Sequence, residues 1–420
     1  MNYFNQRTSE IQRFLLENFE FRYNIVLGKT EYRSKSKDSK IIEFQEITDY
    51  EMNSILFLMG SHGINLGTEH LRQLLNSDFV PKYNPFHDYF NSLPEWDRID
   101  YIKQLAGTIN ATNNELFLWV LQKWLVSTVA SLMDDDVINH TIIVLAGKQG
   151  KGKSSWIRKL VPEALKRYYY EGIINPMNKD DKFQLAENIL IHLDELQSLR
   201  TSEIEALKAL ITSIQVKLRR PYARTQETMP RRASFTGSVN NKEFLTDTTG
   251  NRRFLCFETL SIDYLHNISM DMVYAQALYL YKKGFQYWFD ESEIAVINES
   301  NSDFMTTSVE EDMLLKYLEP CSKEDEESIF SATTEILKTL LIKDNPDPEK
   351  PNNIVSRINN PTAITLGKML VKHGFQKSKV KGMQGYYYKI KNEPSERIEI
   401  KEVGYGYYAP KKKQLLIKGR

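Results

Sequence analysis

Cysteine is almost missing from this chain: Cys256 and Cys321 are the two in 420 residues. Two thiols make neither a disulfide framework nor a metal cluster, and their scarcity points to a reducing compartment. Net charge is missing as well, since 55 basic side chains balance 55 acidic ones. Any attraction to nucleic acid must therefore be local. No apolar run approaches the length of a bilayer span, and Met1 to Arg7 lack the apolar core of a signal peptide. A soluble, cytoplasmic protein with no membrane partner is expected. The 7 histidines show no zinc spacing, and His192, inside an apolar run, reads as a packed core residue. No internal repeat is present. What remains is ordinary, with 41% hydrophobic and 26% charged residues, and the length suffices for two or three domains with proper cores.

Against this plain background one segment stands out. Gly147-Lys148-Gln149-Gly150-Lys151-Gly152-Lys153-Ser154 fits G-x-x-x-x-G-K-[ST] without a mismatch. The apolar run Thr141–Ala146 precedes it, and a predicted helix from Ser155 to Leu160 follows. Glycines let consecutive backbone N–H groups turn onto phosphate oxygens, and the helix N-terminus adds partial positive charge. Gly147 to Ser155 are thus the expected ATP-binding residues. Lys153 would neutralise the phosphates, and the Ser154 hydroxyl would sit on Mg²⁺.

Further pieces suit the same chemistry. Ile189–Leu193 predicts a buried strand ending in Asp194 and Glu195, with Asp194 lying 41 residues after Lys153. Asp194 is expected to hold Mg²⁺, and Glu195 to polarise the attacking water. Arg232–Val239 predicts a second strand ending in Asn240 and Asn241. Asn240 is the candidate γ-phosphate contact, with Asn241 as the fallback. After the Gly250-Asn251 turn come Arg252 and Arg253, and a planar, always charged guanidinium bridges a transferring phosphoryl group well. The spacing does not say which of the two reaches the phosphate. Between the acidic and amide strands lie Lys217, Arg219, Arg220, Arg224, Arg231 and Arg232, opposed by Glu227 alone. With Tyr222 interleaved, Lys217, Arg219, Arg220, Tyr222 and Arg224 are candidate contacts to a DNA strand.

The chain divides in prediction into five parts. Residues 1–95 read as an N-terminal α+β domain, and 96–138 as a helical collar. Residues 139–300 hold an α/β P-loop NTPase core with trailing helices. Residues 308–392 hold helices and a basic hairpin that suggest a winged helix, and 393–420 form a basic tail. Pro81–Asp97 reads as a proline-punctuated connector, and 343–353 as a disordered insert.

The order of these motifs resembles the virulence-associated E (VapE/VirE) ATPases of mobile elements, related to superfamily 3 helicases and the AAA+ class. Tyr83-Asn84-Pro85-Phe86, Leu93-Pro94-Glu95-Trp96-Asp97, Arg220-Pro221-Tyr222 and Thr249-Gly250-Asn251-Arg252-Arg253-Phe254 carry the likeness, which covers about Tyr83 to Leu260. It implies an ASCE/AAA+-like core, a parallel sheet with flanking helices. It also implies a homo-oligomeric ring, often hexameric, that moves on single-stranded or forked DNA during element replication. Arg252 or Arg253 would then serve a neighbouring subunit's site. Relatives often carry a primase upstream. No acidic metal motif of that kind is assignable in the first 140 residues, so primer synthesis is not expected of this chain, and a separate primase partner is left open. The leading expectation is an ATP-dependent DNA helicase or translocase. The alternative is an AAA+ ATPase without helicase activity that serves as a regulator, defence switch or DNA-binding initiator.

Overall fold

The first ninety residues combine helices and a small sheet because their apolar side chains recur at both helical and strand periods. The computed structural model describes residues 3–36, 43–175, 178–199, 201–220, 225–245, 251–306, 309–344 and 360–391. Tyr222, Arg224, Thr246–Gly250, residues 345–353 of the proline-bearing insert and the basic tail lie outside them. Helix α1 (Tyr3–Asn18) buries Ile11, Phe14 and Leu15. Strands β1 (Phe19–Asn24) and β2 (Lys29–Ser34) pair antiparallel with Phe21 opposite Tyr32. Strands β3 (Gln45–Glu46) and β4 (Lys82–Tyr83) complete the order β3-β2-β1-β4. Helix α2 (Asp49–Ser61) opens on a capping box of Thr48 and Glu51, and with α3 (Thr68–Leu75) it covers this core.

The expected connector is in part a helix, α4 (Pro85–Ser92). Asn84 caps it by accepting from the Phe86 and His87 amides, while Pro85 loses no hydrogen bond in the first turn. Phe86 and Phe90 anchor it in the main core. The segment 96–138 also differs from an all-helical collar. Between α5 (Tyr101–Ala106) and α6 (Asn114–Met133) runs strand β5 (Ile109–Ala111), which joins the edge of the central sheet. Three residues are too few to show a strand period, so tertiary pairing decided it. Helix α6 is also long and apolar enough, by length and composition alone, to cross a bilayer. No unbroken apolar run of that length marks it in the sequence. Its hydropathy is spent on packing, since 72% of the window is buried within the protein.

The central sheet is built from β6 (Ile142–Ala146), β7 (Tyr169–Glu171), β8 (Leu190–Leu193), β11 (Ser234–Val239) and β12 (Phe254–Ile262). Strands β9 (Gln215–Leu218) and β10 (Glu227–Pro230) form a separate antiparallel ribbon. The sheet order is β5-β12-β6-β11-β8-β7, parallel throughout except for β5. Both faces are covered. Ile143 and Leu145 of β6 enter the core beneath α6, whereas Ile142, Val144 and Ala146 enter the core on the other face. That two-sided burial is why β6 reads as an unbroken apolar run. Helices α7 (Lys153–Lys159), α8 (Lys179–Glu187) and α9 (Thr201–Thr212) alternate with these strands, and α10 (Met270–Lys282) and α11 (Glu291–Asn301) follow the sheet. Residues Met1–Thr306 make one compact unit.

Thr307–Arg420 makes the second. Its described residues are α12 (Val309–Tyr317), β13 (Leu318–Pro320), β14 (Ile329–Ser331), α13 (Thr333–Lys343), α14 (Asn360–Lys372), β15 (Lys377–Val380) and β16 (Met383–Ile390). Strand β16 pairs antiparallel with β13, β14 and β15. Leu314, Ile336, Leu337, Leu366 and Leu370 fill the centre of this unit.

Candidate nucleotide site

The five parallel strands β12, β6, β11, β8 and β7 run the same way, so the ends of β6, β8 and β11 open on one edge of the sheet. Beyond β6 the chain turns through Gly147, Gly150 and Gly152, each at positive φ (158°, 76° and 87°). Gly147 is also confined by contact, because a Cβ there would meet Thr259 Oγ1 at 2.6 Å. Thr259 itself donates to the Ala146 carbonyl at 2.9 Å, so β12 braces the start of the loop. Helix α7 begins at Lys153 directly after this turn.

Lys153 is folded back over the loop. Its Nζ donates to the carbonyls of Gly147 (2.5 Å) and Lys148 (3.0 Å) and to Asn240 Oδ1 (3.2 Å). Burial holds its amine below the ordinary lysine value, against the opposing pull of Asp194. Asp194 and Glu195 follow β8, and Glu195 sits at φ 54°, a conformation that non-glycine residues seldom adopt. Its amide donates to Asp194 Oδ1 at 3.1 Å. Ser238 on β11 donates to the same oxygen. Gln149 to Ser155, Asp194, Glu195, Asn240 and Tyr264 thus line one open cleft of about 300 Å³.

Lys153, Ser154, Asp194, Glu195 and Asn240 are therefore brought together from loop, β8 and β11. Asn240, not Asn241, is the amide within reach of Lys153. Gly147 and Lys148 contribute through their carbonyls. The sequence reading missed Ser238, Thr259 and Tyr264. A serine two positions before an amide and a threonine mid-strand carry no signal until the sheet order sets them beside the loop. His192 is buried, with Nδ1 3.2 Å from Thr236 Oγ1 and Nε2 4.0 Å from Asp194 Oδ1. Burial pushes its imidazole down.

Arg252 and Arg253 are not in the cleft. Phe254 pairs with Ile142, the first residue of β6, so both arginines stand at the foot of the sheet. They act there on His140, whose pKa is lowered by burial first, then by Arg231, Arg253 and Arg252. Five residues of β6 separate this end from the loop, roughly 16 Å.

The basic segment is less exposed than its charge count implied. Lys217 on β9 and Arg219 just beyond it face solvent. Arg220 does not present itself to a nucleic acid as expected. Its guanidinium donates to Glu187 Oε1 (2.7 Å), Glu227 Oε2 (3.2 Å) and the carbonyls of Leu27 (2.6 Å) and Val26 (3.1 Å). Arg231 is fully buried and donates to the carbonyls of Ser213, Ala233 and Asn139. Arg232, also buried, pairs with Asp135 at 2.9 Å.

Fold and cleft together define a mixed α/β protein organised around a glycine loop at one edge of a largely parallel sheet. Residues 90–306, just over half of the chain, match the virulence-associated protein E-like domain, and the chain belongs to that family. No curated protein matches it. Among solved structures, the apo C-terminal region of NrS-1 (305–718) is similar at 13% identity and a TM-score of 0.45, covering 90% of this chain and 98% of that one. An A form of the same apo region gives 0.44 at 13% identity and the same coverage. A further A-form apo structure gives 0.41 at 14% identity, again covering 90% and 98%.

Proposed function

We propose that this protein is an ATPase that moves on or unwinds DNA in the replication of a mobile genetic element. The observation that carries the reading is the convergence of Lys153, Ser154, Asp194, Glu195 and Asn240 on one cleft. The strand order supports it, with the loop strand β6 beside the amide strand β11 and the acidic strand β8 next in line. That order supports an ASCE-type P-loop core. The donor set also fits magnesium triphosphate. The positive-φ glycines and the start of α7 suit phosphate oxygens. Mg²⁺ keeps several waters and takes one or two carboxylates plus substrate phosphate, so Asp194 and the Ser154 hydroxyl would suffice. Bound there, it would neutralise charge building on the β- and γ-phosphate oxygens.

Lys153 then exchanges its carbonyl acceptors for phosphate oxygens. Glu195 takes a proton from a water that attacks the γ-phosphorus in line, and ADP leaves. Asn240 orients the phosphate and the water. A guanidinium at the foot of the sheet, Arg252 or Arg253, completes the charge stabilisation from a neighbouring subunit of a ring. Exposed Lys217 and Arg219 support a DNA strand running past the β9–β10 ribbon. In the second unit, the order α12-β13-β14-α13-α14-β15-β16 and the exposed Lys377, Lys379 and Lys381 on its hairpin support a winged helix with a basic wing.

The test is Lys153→Ala. ATP hydrolysis is expected to fall by a factor of about a thousand or more, and turnover at the native rate would refute the site. Strand displacement on a forked duplex separates a helicase from an ATPase that only switches. ATP consumption without displacement would favour the regulatory alternative.

A further inference from the structure

We infer that Tyr264 is the platform on which the nucleotide's base rests, an assignment that stands on the nucleotide reading of the cleft. Strand β12 ends at Ile262, and the loop beyond it is pinned on both sides. The Asp263 amide donates to the Thr108 carbonyl at 2.8 Å, and the Leu265 amide donates back to Asp263 Oδ1 at 3.1 Å. Lys159 Nζ holds the His266 carbonyl at 2.8 Å, and the Ile268 amide donates to His266 Nδ1 at 3.4 Å. Between these ties two large apolar side chains are turned outward, Tyr264 at 40% and Leu265 at 70% exposure.

Tyr264 lines the cleft, and among the described residues it is the one aromatic that does. Its ring lies against Gly152, where any Cβ would clash with Cδ1 of the ring at 2.2 Å. Gly152 therefore needs to be glycine on two counts, its φ of 87° and this contact. Sheet order fixes which end of the cleft the ring occupies. Asp194 and Glu195 follow β8, two strands from β6 on one side, while Tyr264 follows β12, one strand away on the other. Three strand spacings, about 14 Å, separate β8 from β12. The terminal phosphate belongs beside Lys153, Asp194 and Asn240, so the base end of an extended nucleotide emerges toward β12, where the ring stands. An aromatic face stacks on any base, so this platform selects nucleotides over bare polyphosphate without demanding one particular base.

The experiment uses the full chain with Mg²⁺ and measures equilibrium binding of a non-hydrolysed ATP analogue and of inorganic tripolyphosphate, which has no base. Tyr264→Ala is expected to weaken the analogue about tenfold and leave tripolyphosphate unchanged, with Tyr264→Phe restoring analogue binding. The ring is partly exposed, so its loss leaves the core packed. Equal loss of both ligands would mean that the ring only braces Gly152, and no loss of either would mean that it touches nothing. Either result overturns the assignment. Binding of neither ligand by the native chain withdraws the nucleotide reading itself, a distinct outcome.

Discussion

Asp194 illustrates how a site residue is set by its neighbours. Its Oδ1 accepts from Ser238 on the adjacent strand and from the Glu195 amide, so the carboxylate is held in one direction. Groups that orient a metal ligand usually affect its affinity by 10–100-fold. Ser238→Ala removes one such group with almost no change in volume. Half-maximal hydrolysis is therefore expected to need about tenfold more Mg²⁺, while the limiting rate at saturating Mg²⁺ falls much less. Titration of the rate against Mg²⁺ checks this, and an unchanged midpoint would show that Ser238 does not position Asp194. The signature loop was legible from residue types alone, since its glycines and lysine are dictated by local conformation and charge. Ser238 was not, because nothing within its own strand marks it.

At the level of elements, Arg220 ties the end of the β9–β10 ribbon to the β1–β2 turn and to α8. Gly28, at φ 65°, leaves room for it, since a Cβ there would meet the guanidinium Nε at 2.4 Å. Burial, the larger influence, raises the Glu187 carboxyl above its ordinary 4.5 even with Arg220 beside it. A carboxyl whose folded pKa exceeds its unfolded value contributes most below the unfolded value and loses that contribution as pH rises. Without Arg220 the raised pKa climbs further. Arg220→Ala is therefore expected to cost about 2–3 kcal/mol at pH 7.5, where Glu187 is left charged and unpaired. The cost should shrink toward pH 5, because a raised pKa favours the protonated, uncharged carboxyl as pH falls. Thermal melts at the two pH values read the difference, and a pH-independent loss would remove Glu187 from the account. The sequence offers Arg220 as a DNA contact because charge can be counted along a chain, whereas Glu187, one of its two acidic partners, lies 33 positions away.

The whole molecule poses a question of reach. Arg252 and Arg253 stand at the foot of the sheet, roughly 16 Å from the loop at its other edge. In a ring they would serve the next subunit's cleft. A preparation of Lys153→Ala and one of the double variant Arg252→Ala, Arg253→Ala should each be inactive. Mixed, a Lys153→Ala subunit can lend its arginines to an intact cleft, so about a quarter of the sites should recover. Colorimetric phosphate release reports the result, and a mixture as silent as its parts would argue against a shared site.

The sequence alone determined what depends on neighbours along the chain. Gly147 to Ser154, the apolar strand ending in Asp194 and the hairpin around Gly382 follow from backbone sterics and periodicity, which act over a few residues. The tertiary structure decided which strands stand together and therefore what the buried groups meet. It placed β11 between β6 and β8, so that Asn240 reaches Lys153. It drew Ile109–Ala111 into the sheet, turned Arg220 and Arg231 inward, and set Tyr264 against Gly152. Those outcomes rest on packing and hydrogen-bond satisfaction between segments far apart in sequence, which local pattern does not encode.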